Sequence, residues 1–318
     1  MTAPSSGQPP LADREREATG FAHPGYAASL SAFGQPAVLP ASKGWCLTRR
    51  IAGTDAEDGT ACHPQLVCAD WSRLGEDLAR LDRTLVSLSV VIDPFAPVSL
   101  PDLHRLFQRV QPFKSHVLVD LADDWEAAIS QHHRYSARRA ARLVTVGRWD
   151  DPGRQMDDWC RLYNHLVDRH QISPDRVLPR DAFEKQFAVP GLEAYGAWQD
   201  GTLVAAHLLY VQGDVAYSHL AASDDTGYRV KASYALYDHC LRSLAGRVRW
   251  VNLGAGSGTS DAADPGLTAF KRGWSAQTGQ AYFCGRIGDA DRYTALTATK
   301  GGSLDRPFFP AYRWSIDA

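Results

Sequence analysis

The chain has 318 residues, 44% hydrophobic and 22% charged, enough for one or two buried cores without disulfide or metal staples. Its formal net charge of −2 sets up no global field for nucleic acid, so any such role must rest on a local patch. No run of 18 apolar residues occurs, which excludes a spanning helix, and the six cysteines show neither a CxxC pair nor zinc spacing, so no metal is expected.

Residues 1–22 open with "MTAPSSGQPPLADREREATG", Pro/Ser/Gly-rich and then charged. They read as a disordered leader without the apolar core of a signal peptide, and the protein is expected in the cytoplasm. A first domain follows over 23–150. In it "GWCLTRRI" and "PQLVCAD" read as strands, and "WSRLGEDLARLDRTL" as an amphipathic helix. "VSLSVVIDPF" is an apolar strand, "SLPDLHRLFQRV" a helix opened by Ser99 and Pro101, and "KSHVLVDL" another strand. The stretch "DDWEAAISQHHRYSARRAARLV" reads as one helix from an acidic cap.

The second domain spans 151–318, with its C-terminal strand free to pack back on the first. "MDDWCRLYNHLVDRH" has helical apolar spacing at 159, 162, 163 and 166, and "PRDAFEKQFAV" is a second helix. "EAYGAWQDGTLVAAHLLYVQGDVAYSHLAAS" is a three-strand meander turned at Asp200-Gly201 and Gly213-Asp214. "KASYALYDHCLRSLAG" is a helix ended by Gly246, and "RVRWVNLG" a strand. The fold class is therefore α/β (α+β): two similar domains joined near 147–153, with mixed, largely antiparallel sheets flanked by helices.

That last strand runs into "GAGSG". A dinucleotide fingerprint needs GxGxxG followed by a helix, whereas Gly254, Gly256 and Gly258 are spaced GxGxG and precede "TSDAADPG". No Walker sequence, G-x-S-x-G elbow or H-E-x-x-H helix occurs either. A glycine loop remains, with Lys271 on a short apolar segment behind it. Upstream, Arg134, Arg138 and Arg142 recur at i, i+4, i+8 with Arg139 beside them, on one helical face with no acid between Glu126 and Asp150. Such a stripe is either a solvated face or a phosphate site suited to a tRNA acceptor end or a nucleotide-linked substrate. His207 and His219 fall on neighbouring strands, as core histidines or as a general base.

The succession "AWQDGTLVAAHLLYVQGDVAYSHLAASDDTGYRVKASYAL", "LGAGSG…GLTAFKRGWS" and "RPFFPAYR" resembles the Fem-like branch of the GNAT acyltransferase superfamily over roughly 125–313, with a weaker likeness in layout over 25–120. The resemblance implies tandem GNAT-like domains around a cleft and transfer of an acyl group to a primary amine of a small or peptide-like acceptor. It implies no tightly bound cofactor and two candidate donors. The superfamily's acyl-CoA turn, [RQ]xxGx[GA], corresponds to "DTGYRVKASYAL", where Arg229, Val230 and Lys231 replace the close-approach glycine; this favours aminoacyl-tRNA over acetyl-CoA or another acyl-CoA. Phe270-Lys271 before Gly273-Trp274 matches the Fem pattern in which a lysine reaches the reaction centre, where a cation would stabilise the oxyanion of amide formation. The expected catalytic residues are Lys271, His219 and Tyr217, with Phe270, Arg229, Lys231 and Trp274 at the substrate. The rival expectation is a catalytically silent GNAT-like pair that binds a partner through Arg134–Arg142.

Overall fold

The computed structural model describes residues 18–257, 265–299 and 308–313. After helix α1 (Pro24–Ser29), strands β1 (Gln35–Leu39), β2 (Gly44–Arg50) and β3 (Glu57–Ala61) form an antiparallel meander. Helix α2 (Leu74–Leu81) carries the chain to β4 (Ser87–Ile92), parallel to β3, and α3 (Leu100–Leu106) leads to β5 (Arg109–Asp120). Next come α4 (Trp125–Ala128), α5 (Gln131–Ala140), β6 (Thr145–Arg148), α6 (Met156–His170) and α7 (Arg180–Phe187). A second meander follows in β7 (Leu192–Gln199), β8 (Thr202–Gln212) and β9 (Val215–Ser223). Helices α8 (Asp225–Val230) and α9 (Ala232–Leu244) return the chain to β10 (Trp250–Gly254), parallel to β9. Helix α10 (Pro265–Arg272), β11 (Thr278–Ile287) and α11 (Ala290–Thr299) complete the order.

Both halves thus run meander, helix, parallel strand, helix, final strand. Among the described residues the strands join one 11-stranded sheet, ordered β1-β2-β3-β4-β11-β5-β10-β9-β8-β7-β6. The halves exchange their final strands: β11 pairs with β4, β5 pairs with β10, and the two exchanged strands pair with each other at the centre.

Local sequence explains the turns of the second meander. Asp200 and Gly201 both take positive φ (51° and 80°) in a two-residue hairpin, the geometry that matches the twist of the flanking strands. Helix α6 buries Trp159, Leu162 and Tyr163 along one stripe, as its spacing requires.

Other expectations need correction. "PQLVCAD" is a loop, bonded to the sheet by Leu66 N–H to Val91 O and an isolated bridge from Cys68 to Gly44, with Leu66 and Cys68 packed in the core beneath it. The single helix over 123–144 is two, because Ser130 leaves the helix and its Oγ caps α5 at His133 N, 3.2 Å away. The predicted leader lies mostly outside the described residues, but its end does not: Phe21 is buried against Tyr26 and Tyr210. This N-terminal segment bridges the halves. Tyr26 OH donates to His63 O (2.6 Å), and Gln186 Nε2 donates to Ser29 Oγ (3.2 Å). Helix α5 packs on α9 and β6 pairs with β7, so these two elements lie against the second half. Among the described residues no helix is long and apolar enough to cross a membrane.

Candidate active site

Strands β9 and β10 are paired over only three residues each, Val215–Tyr217 against Trp250–Asn252. Beyond them β9 continues to Ser223, while β10 bulges and turns at Gly254, whose φ of +72° suits a residue without Cβ. Asn252 fixes that turn by accepting Gly254 N–H on Oδ1 at 2.8 Å. Pairing of the two parallel strands therefore stops at Tyr217 and Asn252, and the glycine run borders this gap in the pairing.

Two buried lysines hold this run. Lys271, near the end of α10, donates from Nζ to Ala255 O at 2.5 Å. Lys114, on β5, donates to Gly256 O at 2.7 Å. A Cβ on Gly254 would stand 3.4 Å from Lys271 Nζ, an ordinary contact, so the positive φ and not crowding is what favours glycine there. Gly258 lies outside the described residues. The loop thus presents carbonyls to ammonium groups, which is a different task from presenting amides to a phosphate.

The other half of the molecule supplies a carboxylate. Asp93 follows β4 and is 6% exposed. Its Oδ1 accepts Phe95 N–H (2.8 Å) and Tyr217 OH (3.1 Å), and its Oδ2 accepts Asn252 Nδ2 (3.0 Å). His116 Nδ1 stands 4.0 Å from Oδ2. Burial lifts Asp93 from the usual carboxylate range to about 6, against the three hydrogen bonds that pull it down. The same burial, with the Asp93 charge, pushes the Tyr217 phenol up. Asn252 therefore joins the two parts: its amide bonds Asp93 on one side and Gly254 on the other, one residue from the carbonyl that holds Lys271.

Of the residues expected from sequence, Lys271 and Tyr217 come to this junction. His219 sits at the β9 bulge, its Nε2 3.0 Å from Gln186 Oε1 and its ring packed by Phe21, Tyr26 and Tyr210. Burial, then the charge of His63, holds it down at about 3, so it is neutral. His207 is buried, stacked on Tyr237 at 4.2 Å and bonded to Ser218 Oγ at 2.8 Å. Trp274 needs a correction. It is fully enclosed between His133 and Tyr237, so it offers no surface to a substrate. Phe270 packs on Tyr234 and Tyr237 in the same cluster and supports α10.

Arg229 and Lys231 are exposed. Arg229 bonds Thr226 Oγ1, and Lys231, at φ +57°, stands over the Tyr234 ring between α8 and α9. Gly227 is glycine because a Cβ would meet Val204 O at 2.2 Å, and its N–H is taken by Asp224 Oδ1 at 2.9 Å. Arg134, Arg138 and Arg139 lie on the exposed side of α5, whereas Arg142, also exposed, falls past the helix end at Ala140, so the expected stripe of three does not run along one helix. Arg134 and Arg138 line a groove of about 760 Å³ against α9, and the acids lining it, Glu126 of α4 and Asp238 of α9, are both engaged by Arg242.

Sequence reading missed Asp93, His116, Asn252 and Lys114. One signal was present: an acid closing an apolar strand just before a proline, at the carboxyl end where α/β sheets gather their sites.

Residues 128–272 match the family model Acetyltransf_6, the acetyltransferase (GNAT) domain. Among curated proteins none matches this sequence. Several solved structures share the fold. FemX superposes with a TM-score of 0.64 at 12% identity, covering 86% of this chain and 93% of its own. The C-terminal domain assigned to a lysylphosphatidylglycerol synthetase from Agrobacterium fabrum gives 0.60 at 15% identity, covering 86% and 91%. L-PGS from Bacillus licheniformis gives 0.54 at 12%, covering 82% and 90%. At these identities the likeness is one of fold.

Proposed function

From a chain that carries a GNAT acetyltransferase domain at 128–272 within a fold shared with FemX, we propose an N-acyltransferase that moves an aminoacyl group from tRNA to the primary amine of a small or peptide-like acceptor. The observation that carries this reading is the buried Lys271 ammonium at the β9–β10 gap, linked through Asn252 to the carboxylate of Asp93. Asp93, with an affinity for protons near neutrality, takes a proton from the acceptor ammonium. The free amine attacks the ester carbonyl carbon, and Lys271 faces the oxyanion that forms. Collapse breaks the ester C–O bond: the attacking nitrogen loses a second proton, one of the two it has released leaves on the ribose hydroxyl, and the other passes to solvent, returning Asp93 to its carboxylate.

Two features support tRNA over coenzyme A. At the α8 turn the Gly227 amide is already bonded to a carboxylate, and Asp224 stands where a pyrophosphate would need positive surroundings. On α5 the arginines offer a local basic face on a chain without net positive charge. Incubation of the protein with a panel of amines and either charged tRNA pools or acyl-CoAs, read by mass spectrometry, tests the reading. Amide product from tRNA supports it, and product only from acyl-CoA replaces the donor. Acetyl-CoA at millimolar concentration should also leave the melting temperature nearly unchanged, whereas a ligand at ~100 Kd adds ~2.7 kcal/mol.

The arginine face predicts a salt dependence. Donor affinity should fall steeply as ionic strength rises, and each of Arg134→Ala, Arg138→Ala and Arg142→Ala should flatten that slope by ~0.7–0.9. Affinity indifferent to salt would make the face a solvated one.

A further inference from the structure

Helix α10 ends with carbonyls that have no partner inside the helix, and the first turn of α5 takes two of them. Ser130 N–H donates to Gly273 O at 2.9 Å, and His133 Nε2 stands 2.8 Å from Phe270 O. Because that carbonyl can only accept, Nε2 carries the imidazole proton. The other nitrogen, Nδ1, is 2.9 Å from Ser130 Oγ and accepts its hydroxyl proton, while the same Oγ accepts His133 N–H at 3.2 Å. The tautomer is therefore fixed by its partners. Tyr234 (4.9 Å), Trp274 (5.1 Å) and Phe270 (5.5 Å) enclose the ring, and burial lowers its proton affinity, so the cap is neutral.

The glycine of the Phe-Lys-Arg-Gly-Trp stretch is explained by the same ring. A Cβ on Gly273 would lie 1.9 Å from His133 Cε1 and 2.2 Å from both ring nitrogens. No side chain can occupy that position while the imidazole is in place. His133 and Gly273 are a matched pair, 140 residues apart in sequence numbering (273 − 133), and Lys271 lies between Phe270 and Gly273, whose carbonyls are taken by His133 and Ser130.

We infer that His133 is the positioning residue for Lys271: a neutral imidazole that caps α10 at Phe270 and so sets where the lysine ammonium stands at the β9–β10 gap. The inference rests on the proposed role of Lys271. A neutral cap does this without adding a second cation, the usual occupant of a helix C-terminus. It also ties the lysine to α5, the helix whose outer face carries the arginines.

The test uses the full chain in four forms: His133→Ala, His133→Gln, Gly273→Ala and the double variant His133→Ala/Gly273→Ala. Two quantities are read in each, steady-state turnover and the NMR signal of the Lys271 side chain in lysine-labelled protein, which has only six lysines to resolve. Expected is a fall in kcat of about 10- to 100-fold for His133→Ala, with KM little changed, since misplacement by about 1 Å costs this much. The Lys271 signal and its titration should move in the same variant. His133→Gln, whose amide can still donate to Phe270 O, should recover most of both. Gly273→Ala should be as damaging as His133→Ala, and the double variant should be less damaging than the sum. An unmoved Lys271 signal and unchanged kcat in His133→Ala or in the double variant, whatever happens to melting temperature, would overturn the inference. The NMR arm is independent of activity. If Lys271→Met keeps full turnover while the signal still responds to His133, the function fails and the positioning stands.

Discussion

Lys271→Met is expected to lower kcat by about 10²–10³-fold, or ~2.7–4 kcal/mol of transition-state stabilisation, with the fold intact. The side chain is 9% exposed, and Met fills nearly the same volume along the same apolar stem, so little packing is lost. What disappears is the ammonium at the gap, a buried donor that bonds Ala255 O. An interaction made in the transition state and absent from the ground-state complex appears in kcat and kcat/KM alike. Lys271→Arg should rescue poorly, because a planar guanidinium cannot place compact charge at the same point. Near-normal turnover by Lys271→Met, with authentic donor and acceptor, would return the lysine to a purely structural role in holding the glycine run.

The second large effect belongs to Asp93. If its carboxylate takes the acceptor proton, kcat/KM should rise as pH passes through about 6 and level off above it. Asp93→Asn should lose that limb and about 10²–10⁴-fold in rate. Tyr217→Phe makes a finer prediction. The Tyr217 hydrogen bond lowers the Asp93 value, so its removal should move the limb to higher pH without abolishing it. Stability should carry the same signature with its own sign. Asp93 binds its proton more tightly folded than unfolded, so the folded state loses stability as pH rises from about 4 to about 7. Asp93→Asn should lack that loss in thermal melts. A wild-type pH–rate profile flat between 5 and 8 would exclude Asp93 as the base.

What could be read in advance was whatever depends on near neighbours. Helix α6 has its amphipathic stripe within 15 residues, and the Asp200-Gly201 hairpin needs only its own two φ angles. Strand β3, "EDGTA", escaped notice because an acid and a glycine carry no strand propensity; it is held by β2 on one side and β4 on the other. "PQLVCAD" has the composition of a strand, but β3 before it is already flanked by β2 and β4, so no place beside β3 is left for it. The same distinction divides the candidate site. Lys271 stood in a recognisable local stretch. Asp93 is raised and held by Tyr217, 124 positions away, and by Asn252, 159 positions away, so nothing beside it in the chain announces its state. Ser130, which breaks a helix that periodicity draws as continuous, does so to bond Gly273, again a distant partner.

The exchanged strands have a consequence for how this chain is made. A ribosome releases β4 before any of the second half, yet its neighbour β11 emerges only after β5 to β10 have all been made. Until then β4 presents an open edge of backbone amides and carbonyls, the surface on which nascent chains pair with the wrong partner. β5 waits in the same way for β10. The first half therefore cannot finish during translation and then stand aside while the second is built. Maturation is a single late event, and a nascent chain of this design depends on being sheltered, or on folding quickly, once its last strand is free.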